Sequence, residues 1–239
     1  MTSFDEAVAW LLEQAENGSA VSARFLNAWC VVTASSSSDY AELVQRGGWN
    51  FADGFPVAAI LKRRARLAKP PHVRGPSVFR EALGRSADMP IRHFFLGGSE
   101  ASVRKLVVEV RRLYPGAQVA GYWSPPYAPF EGEVETRAVE MIRESGANLV
   151  WIGLGSPKQD FAGERIAELT GVATAGVGAA FDFMSGKVRE APVWVRRMGV
   201  EWLFRLSADP KRLWRRYLVG NFQFMTIVAA QSLSKSRGT

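Results

Sequence analysis

The side chains best suited to chemistry in this chain of 239 residues are polar residues that directly follow apolar segments. Asp53 follows the segment Trp49–Ala52, and Lys158 and Gln159 follow a longer apolar segment. A carboxylate in such a place can accept a proton as a general base, and a glutamine offers a donor and an acceptor to sugar hydroxyls. Two simpler interpretations stay open: Asp53 forms an Asx turn with the next residue, and Lys158 is solvated in a loop.

Two glycines end another apolar segment and could bring backbone N–H groups close to a phosphate. Gly97 and Gly98 separate a strand predicted over 91–96 from an amphipathic helix predicted over 99–116. The unpaired N–H groups at a helix N-terminus attract phosphate. The same turn can serve close packing, so a nucleotide-binding role and a packing role both remain open.

The whole net charge of +7 lies in the last fifth of the chain. Residues 189–239 hold ten Lys and Arg residues against three acids, whereas residues 1–188 balance at zero. On an unbroken helix, Arg205, Arg212 and Arg215 would span about 80° of one face. Such arginines could stabilise a departing diphosphate without a metal ion, and a solvated basic face is the alternative.

Composition excludes several kinds of site. One cysteine and two histidines cannot form a disulfide framework or the usual zinc site, and no Asp-X-Asp pair is present. The acids at positions 131, 133 and 135 suit a helix N-terminus better than a cation site. We therefore expect no metal and no cofactor. The lone Cys30, the absence of a signal-like N-terminus and the absence of 18 consecutive apolar residues predict a cytoplasmic protein that would lie on a membrane and not span it.

The pattern of apolar segments predicts an α/β fold. From residue 91, short apolar strands alternate with amphipathic helices, which is typical of a Rossmann-like, mostly parallel sheet flanked by helices. Earlier strands are predicted at 22–26 and 49–52. The carboxyl ends of parallel strands share one edge, where ligands bind, so we expect these segments to meet there: Asp53 and the loops 97–100, 122–130, 153–160 and 178–186. We predict one α/β core, 1–188, and a basic, amphipathic helical appendage, 189–239.

Four C-terminal segments carry a family resemblance: GlyValGlyAlaAlaPheAspPheMetSerGlyLys at 176–187, AlaPro at 191–192, GluTrpLeuPheArgLeu at 201–206 and AspProLysArgLeuTrpArgArgTyr at 209–217. Together they resemble the WecG/TagA/CpsF family of bacterial glycosyltransferases. The resemblance implies a metal-independent, inverting enzyme of cell-surface polysaccharide synthesis. Its donor would be a UDP-sugar, carrying N-acetylmannosamine, its uronic acid or a related hexose. Its acceptor would be a sugar linked to a polyprenyl diphosphate.

The resemblance also implies roles for individual residues. Asp53 matches the catalytic base of the family. Six further residues match positions that bind substrate: Asn27, Arg74, Gln159, Arg205, Arg212 and Arg215. The appendage arginines would complete the active site, and the acceptor would lie on the cytoplasmic leaflet, which implies a peripheral place on the inner face of the cell membrane. The amphipathic pattern of the appendage predicts further that aromatic side chains lie at this anionic surface: Trp202, Phe204, Trp214, Phe222 and Phe224.

Two other functions remain as alternatives. A non-catalytic protein that binds nucleotide sugars would keep the same fold. A nucleic-acid binder is compatible with the isoelectric point of 9.8, but the charge is confined to one end of the chain and no nucleic-acid motif is present, so we expect no nucleic-acid partner. Self-association into a homo-oligomer is left open.

Overall fold

The computed structural model describes residues 3–46 and 49–236, with side chains of the last helix described as far as Gln231. The predicted boundaries 1–188 and 189–239 include residues 1–2, 47–48 and 237–239, which lie outside the described residues. Six strands form the sheet: β1 (Ser22–Leu26), β2 (Trp49–Ala52), β3 (Arg92–Gly97), β4 (Gln118–Trp123), β5 (Leu149–Gly153) and β6 (Ala173–Gly176).

Helices connect the strands and continue after the last one. Up to β3 they are α1 (Phe4–Glu16), α2 (Ala28–Ser36), α3 (Ser38–Gln45), α4 (Phe55–Arg64) and α5 (Gly75–Arg85). Between β3 and β6 they are α6 (Glu100–Leu113), α7 (Glu133–Ser145) and α8 (Lys158–Thr170). The C-terminal ones are α9 (Ala180–Met184), α10 (Val193–Arg197), α11 (Glu201–Ala208), α12 (Pro210–Trp214) and α13 (Gly220–Ser236), with a π-helical segment Arg215–Val219 before α13.

The sheet is parallel throughout, in the order β2-β1-β6-β5-β3-β4. The predicted α/β class and Rossmann-like sheet are therefore confirmed. The strands predicted at 22–26 and 49–52 coincide with β1 and β2. The order places β4 at the edge of the sheet far from β1 and β2. Because β4 is parallel to its neighbour, the loop 122–130 after it still lies at the predicted carboxyl edge, where the Ser124 hydroxyl donates to the carbonyl of Gly98 at 2.7 Å. The residues of this loop do not border the cavity described below.

The two faces of the sheet carry separate apolar cores. In β5, Leu149 and Trp151 pack with α1, α5 and α6, whereas Val150 and Ile152 pack with α7 and α8. Side chains alternate between the faces of a strand, so a strand covered on both sides must be apolar throughout. This explains why the central strands read as continuous apolar runs. The acids Glu133 and Glu135 lie in the first turn of α7, as predicted.

One segment beside the sheet differs from the sequence-based prediction. The expected loop 178–186 contains the short helix α9, which buries Phe181 and Phe183. Lys62 to Arg64 form the exposed last turn of α4. Asp209 caps α12 by accepting a hydrogen bond from the N–H of Arg212 at 3.3 Å, which sets the start of this helix.

The C-terminal helices return to the body of the protein. Phe224 on α13 is 3% exposed and packs against Ala28 and Val32 of α2. Its predicted place at the lipid interface is therefore wrong, because α2 offers an apolar face that α13 covers. Phe222 is 72% exposed. Among the described residues, no helix is both long enough and apolar enough to span a membrane.

Candidate active site

A cavity of about 480 Å³ opens at the carboxyl edge of the sheet. Residues that follow β1, β2, β3, β5 and β6 form its floor, and residues of the C-terminal helices form its opposite wall. Polar and charged side chains of both parts line it: Asn27, Asp53, His72, Arg74, Gln159, Asp182, Lys187, Arg196, Glu201, Arg205, Arg212, Arg216 and Tyr217. The cavity thus lies between the neutral body and the basic C-terminal helices.

Asp53 is half-buried in this cavity, at the first position after β2. Its N–H donates to the carbonyl of Leu26 at 2.9 Å, which ties it to the end of β1. Burial raises the pKa of the Asp53 carboxyl, although Arg74 and His72 act in the opposite direction. A raised pKa makes a carboxylate a stronger proton acceptor. The position and environment of Asp53 therefore suit a general base.

Asn27 lies at the first position after β1 and caps helix α2. Its side-chain oxygen accepts hydrogen bonds from the N–H groups of Trp29 at 3.0 Å and Cys30 at 3.3 Å. Among the described residues, none accepts from its amide nitrogen. The amide N–H donors of Asn27 are therefore the atoms that can reach a ligand in the cavity.

Arg74 lines the cavity but its guanidinium is engaged by two carboxylates. It is 7% exposed, forms an ion pair with Glu190 at 2.7 Å, and donates to Glu201 at 2.8 and 2.6 Å. It also lies over the ring of Phe183, 5.5 Å from its centroid. Arg74 therefore fastens the start of the C-terminal helices to the body. Arg74 was predicted to bind substrate, and in this arrangement two carboxylates of the protein itself balance its positive charge.

Gln159 is likewise engaged within the protein. This side chain is 4% exposed and borders the cavity. Its Nε2 donates to the carbonyl of Gly176 at 2.8 Å, and its Oε1 accepts from the N–H of Gly155 at 3.1 Å. Both ends of the amide thus join the loop after β5 to the end of β6. In this structure Gln159 therefore braces the two strand ends, and its contact with sugar hydroxyls stays a prediction.

The three predicted arginines of the C-terminal helices do not all reach the cavity. Arg205 lines it, with its guanidinium 5.5 Å from the ring centroid of Phe183 and 5.9 Å from that of Tyr217. Arg212 also lines it and pairs with Asp209 at 2.9 Å.

Arg215 does not border the cavity in this structure, and its assignment to the substrate site stays a prediction. Its guanidinium lies over the ring of Trp214 at 5.3 Å, and Arg216 borders the cavity in its stead. Arg212 and Arg216 are four residues apart, and residues at this spacing lie on one side of a helix.

The two glycines after β3 have separate functions. Gly98 borders the cavity, with a φ of +72°. Gly97 does not border it. A Cβ on Gly97 would lie 2.7 Å from the carbonyl carbon of Gly153, so only glycine permits the close approach of β3 and β5 there. The structure therefore favours the packing interpretation for Gly97, while Gly98 keeps a place where a phosphate could approach the backbone.

Comparison with known proteins now adds to this geometry. The family model described as "Glycosyl transferase WecG/TagA/CpsF family" matches residues 1–238. The chain belongs to this family. It is therefore a glycosyltransferase of the WecG/TagA/CpsF type, as the resemblance in its C-terminal segments implied.

Two relatives in this family carry the same name, N-acetylglucosaminyldiphosphoundecaprenol N-acetyl-beta-D-mannosaminyltransferase. The one from Bacillus spizizenii is 31% identical over 182 residues, which cover 75% of this chain and 67% of the relative. The one from Bacillus subtilis is 28% identical over 183 residues, which cover 75% of this chain and 68% of the relative.

Several residues of this glycosyltransferase's cavity escaped the sequence analysis. His72, Arg196, Glu201 and Arg216 all border it. The charge pattern contains a partial signal, because Arg196 and Arg216 belong to the basic C-terminal part. For His72 the sequence gives no signal of its own, since its place depends on how the segment before α5 returns to β2.

In the part of the chain that the structure describes, no group of three or more His, Cys, Asp or Glu residues could hold a metal ion. Metal independence of this family member stays a prediction, which a chelation experiment tests.

Proposed function

We propose that this glycosyltransferase moves a sugar from a UDP-sugar to a sugar carried on a polyprenyl diphosphate, with inversion and without a metal ion. N-acetylmannosamine, its uronic acid or a related hexose is the transferred sugar. The names of the two relatives support the acceptor class. The observation that carries the proposal is one cavity in which the carboxyl of Asp53 faces a wall containing Arg205 and Arg212.

Inversion requires a single displacement at the anomeric carbon. The Asp53 carboxylate accepts the proton of the acceptor hydroxyl while that oxygen forms a bond to the anomeric carbon. The bond from this carbon to the phosphate oxygen breaks, and its electron pair leaves with UDP. A positioned base of this kind contributes about 10² to 10⁴ in rate.

The departing diphosphate develops negative charge, which guanidinium groups can stabilise. Arg205 carries a positive charge held between two aromatic rings, and no carboxylate pairs with it among the described residues. Arg196, Arg212 and Arg216 border the same cavity. Fixed donors directed at developing charge are among the strongest contributions that an enzyme makes to catalysis.

A second cavity of about 440 Å³ adjoins the first and supports a reaction of two diphosphate substrates. The two cavities share Arg205 and Arg212, and Lys187 and Arg189 also border the second one. Donor and acceptor each carry a diphosphate. We assign one diphosphate to each cavity, with the shared arginines between them.

The acceptor lipid lies in a membrane, and the C-terminal helices suit contact with an anionic surface. Exposed apolar side chains project from them beside exposed basic ones, including Trp194, Met198, Leu203, Leu218, Phe222 and Met225. Apolar side chains enter the interface while basic ones attract anionic lipid headgroups. We therefore place the protein on the inner face of the cell membrane.

A panel of UDP-sugars with a polyprenyl-diphosphate-linked acceptor, measured as UDP release, tests the proposal. We expect one donor to support turnover in the presence of a chelator, and we expect Asp53→Asn to lower kcat by about 10² to 10⁴ while donor binding persists. Asp39→Asn is the matched control, because Asp39 is an exposed carboxylate on α3. Full activity of Asp53→Asn would exclude the base assignment, and loss of activity on chelation would exclude metal independence.

A further inference from the structure

His72 contacts the residue next to Asp53 and has no part in the mechanism above. It is half-buried and borders the cavity, and its Nε2 accepts a hydrogen bond from the N–H of Gly54 at 3.2 Å. Gly54 has a φ of +90°, and no side chain caps α4 at this position. The imidazole of His72 is therefore the group that holds the turn directly after Asp53.

The backbone around His72 is anchored to the same strand end. Ala52, the last residue of β2, pairs with His72 in an isolated parallel bridge, and the N–H of Val73 donates to the carbonyl of Ala52 at 2.9 Å. On its other side, the N–H of Asp53 donates to Leu26. The backbone of Asp53 is thus fixed at its own N–H by β1 and at the next N–H by His72.

The direction of the hydrogen bond between Gly54 and His72 indicates which ring nitrogen of the imidazole carries a proton. Because Gly54 donates to Nε2, this nitrogen carries no proton, and the neutral ring has its proton on Nδ1. A protonated ring has no acceptor to offer the N–H of Gly54. The charged groups that border the cavity around this turn are Asp53, Arg74, Glu201 and Arg205.

We propose that His72 is a positioning residue of the transfer reaction, whose neutral imidazole orients the Asp53 carboxyl by holding the N–H of Gly54. The inference rests on the proposed function, since it assigns His72 to the base of that reaction. A misplacement of about 1 Å at a reacting group can lower a rate by about 10². We therefore expect loss of the hydrogen bond to lower kcat by about 10-fold to 100-fold, with the KM for the donor nearly unchanged.

Two substitutions separate the hydrogen bond from the bulk of the side chain. In His72→Gln, the amide oxygen extends about as far as Nε2 and can accept from Gly54, whereas in His72→Asn the shorter side chain falls short. We expect His72→Gln to keep most of kcat and His72→Asn to lose it. Lys69→Ala is the control, because Lys69 is an exposed residue of the same connecting segment.

Separating kcat from KM adds a measurement that a purely structural function would not move. In His72→Asn, kcat should fall while the KM for the donor stays nearly unchanged, and His72→Gln should keep both values. Equal kcat for the Gln and Asn variants, or a parallel rise of the donor KM in His72→Asn, would overturn the proposal.

An NMR measurement keeps this inference distinct from the proposed function. The ¹⁵N shifts of the His72 ring should show a proton on Nδ1 and none on Nε2, whatever substrate the enzyme uses. A proton on Nε2 would overturn the inference even if the transfer reaction is confirmed. If the Nδ1 tautomer is observed but no UDP-sugar is turned over, the proposed function is excluded, while the hydrogen bond between His72 and Gly54 is confirmed.

Discussion

The body and the C-terminal helices of this protein are stabilised in different ways. The body buries two apolar cores on the two faces of a parallel sheet. Within the described part of α10 to α13, large apolar side chains are buried only at Val195, Leu213 and Phe224, and many others are exposed. The C-terminal helices are instead attached by a few contacts, including the ion pairs of Arg74 and the packing of α13 on α2.

In the proposed reaction, the two parts have different functions. The sheet edge would hold the proton acceptor, where small displacements are costly. Helices with exposed apolar and basic side chains form the cationic wall of the cavity. The cavity lies where the two parts meet, so substitutions at the junction test the comparison most directly.

The largest effect is expected from the arginines of the cavity wall. Arg205→Ala should lower kcat/KM by about 10² to 10³, because one preorganised donor to a developing negative charge is lost. Arg197→Ala is the matched control, since Arg197 is an exposed arginine of α10 that borders neither cavity, and it should change kcat/KM less than about threefold. UDP release under saturating acceptor measures both. An equal loss in the two variants would contradict the assignment of Arg205 to the cavity wall.

An intermediate effect is expected where α13 packs on the body. Phe224→Ala should lower the free energy of unfolding by about 3 kcal/mol, because a buried aromatic ring leaves a cavity. Phe222→Ala should leave stability nearly unchanged and weaken binding to anionic liposomes instead, since Phe222 is exposed. Urea denaturation and liposome sedimentation measure the two effects. Loss of liposome binding in Phe224→Ala without loss of stability would return Phe224 to the lipid interface.

The smallest net effect is expected for the pH dependence of stability. Two buried titratable groups of the body contribute to it with opposite signs. Burial lowers the pKa of His93 to about 4 from 6.5, and its ring nitrogens contact Trp151 at 3.0 Å and Ser86 at 2.8 Å. Between these values the unfolded chain binds the proton and the folded chain does not. The contribution of His93 to the free energy of unfolding therefore falls as the pH drops from about 6.5 to about 4.

Burial raises the pKa of Asp160 to about 6 from 3.8, despite a hydrogen bond from Tyr40 at 2.7 Å. The folded state binds this proton first, so stability from Asp160 rises over nearly the same pH window. Each contribution is about 3 kcal/mol, and together they nearly cancel.

Denaturation of variants at pH 7 and pH 4 separates the two groups. Relative to the wild type, His93→Gln should gain stability on acidification and Asp160→Asn should lose it. Parallel slopes in both variants would contradict this account. Because both groups lie in the body, we expect the attachment of the C-terminal helices to change little over this range.

Much of the fold could be predicted because it depends on local patterns. The β1 and β2 segments, the cap at Asp209 and the meeting of strand ends at Asp53 follow from apolar runs and capping residues. The strand order could not be predicted, because it depends on contacts between segments that are distant in the sequence. The place of Arg216 at the cavity could not be predicted either, because it depends on how the C-terminal helices pack on the body.

The sequence by itself determined the α/β class and the separation of a neutral body from a basic C-terminal part. These properties depend on residue type and on spacing along a single element. Only the tertiary structure decided that Arg74 pairs with Glu190 and Glu201 and that Gln159 braces two strand ends. It also decided that His72 holds the turn after Asp53. The reason is physical: a side chain's partners depend on which distant segments the fold brings within hydrogen-bonding distance.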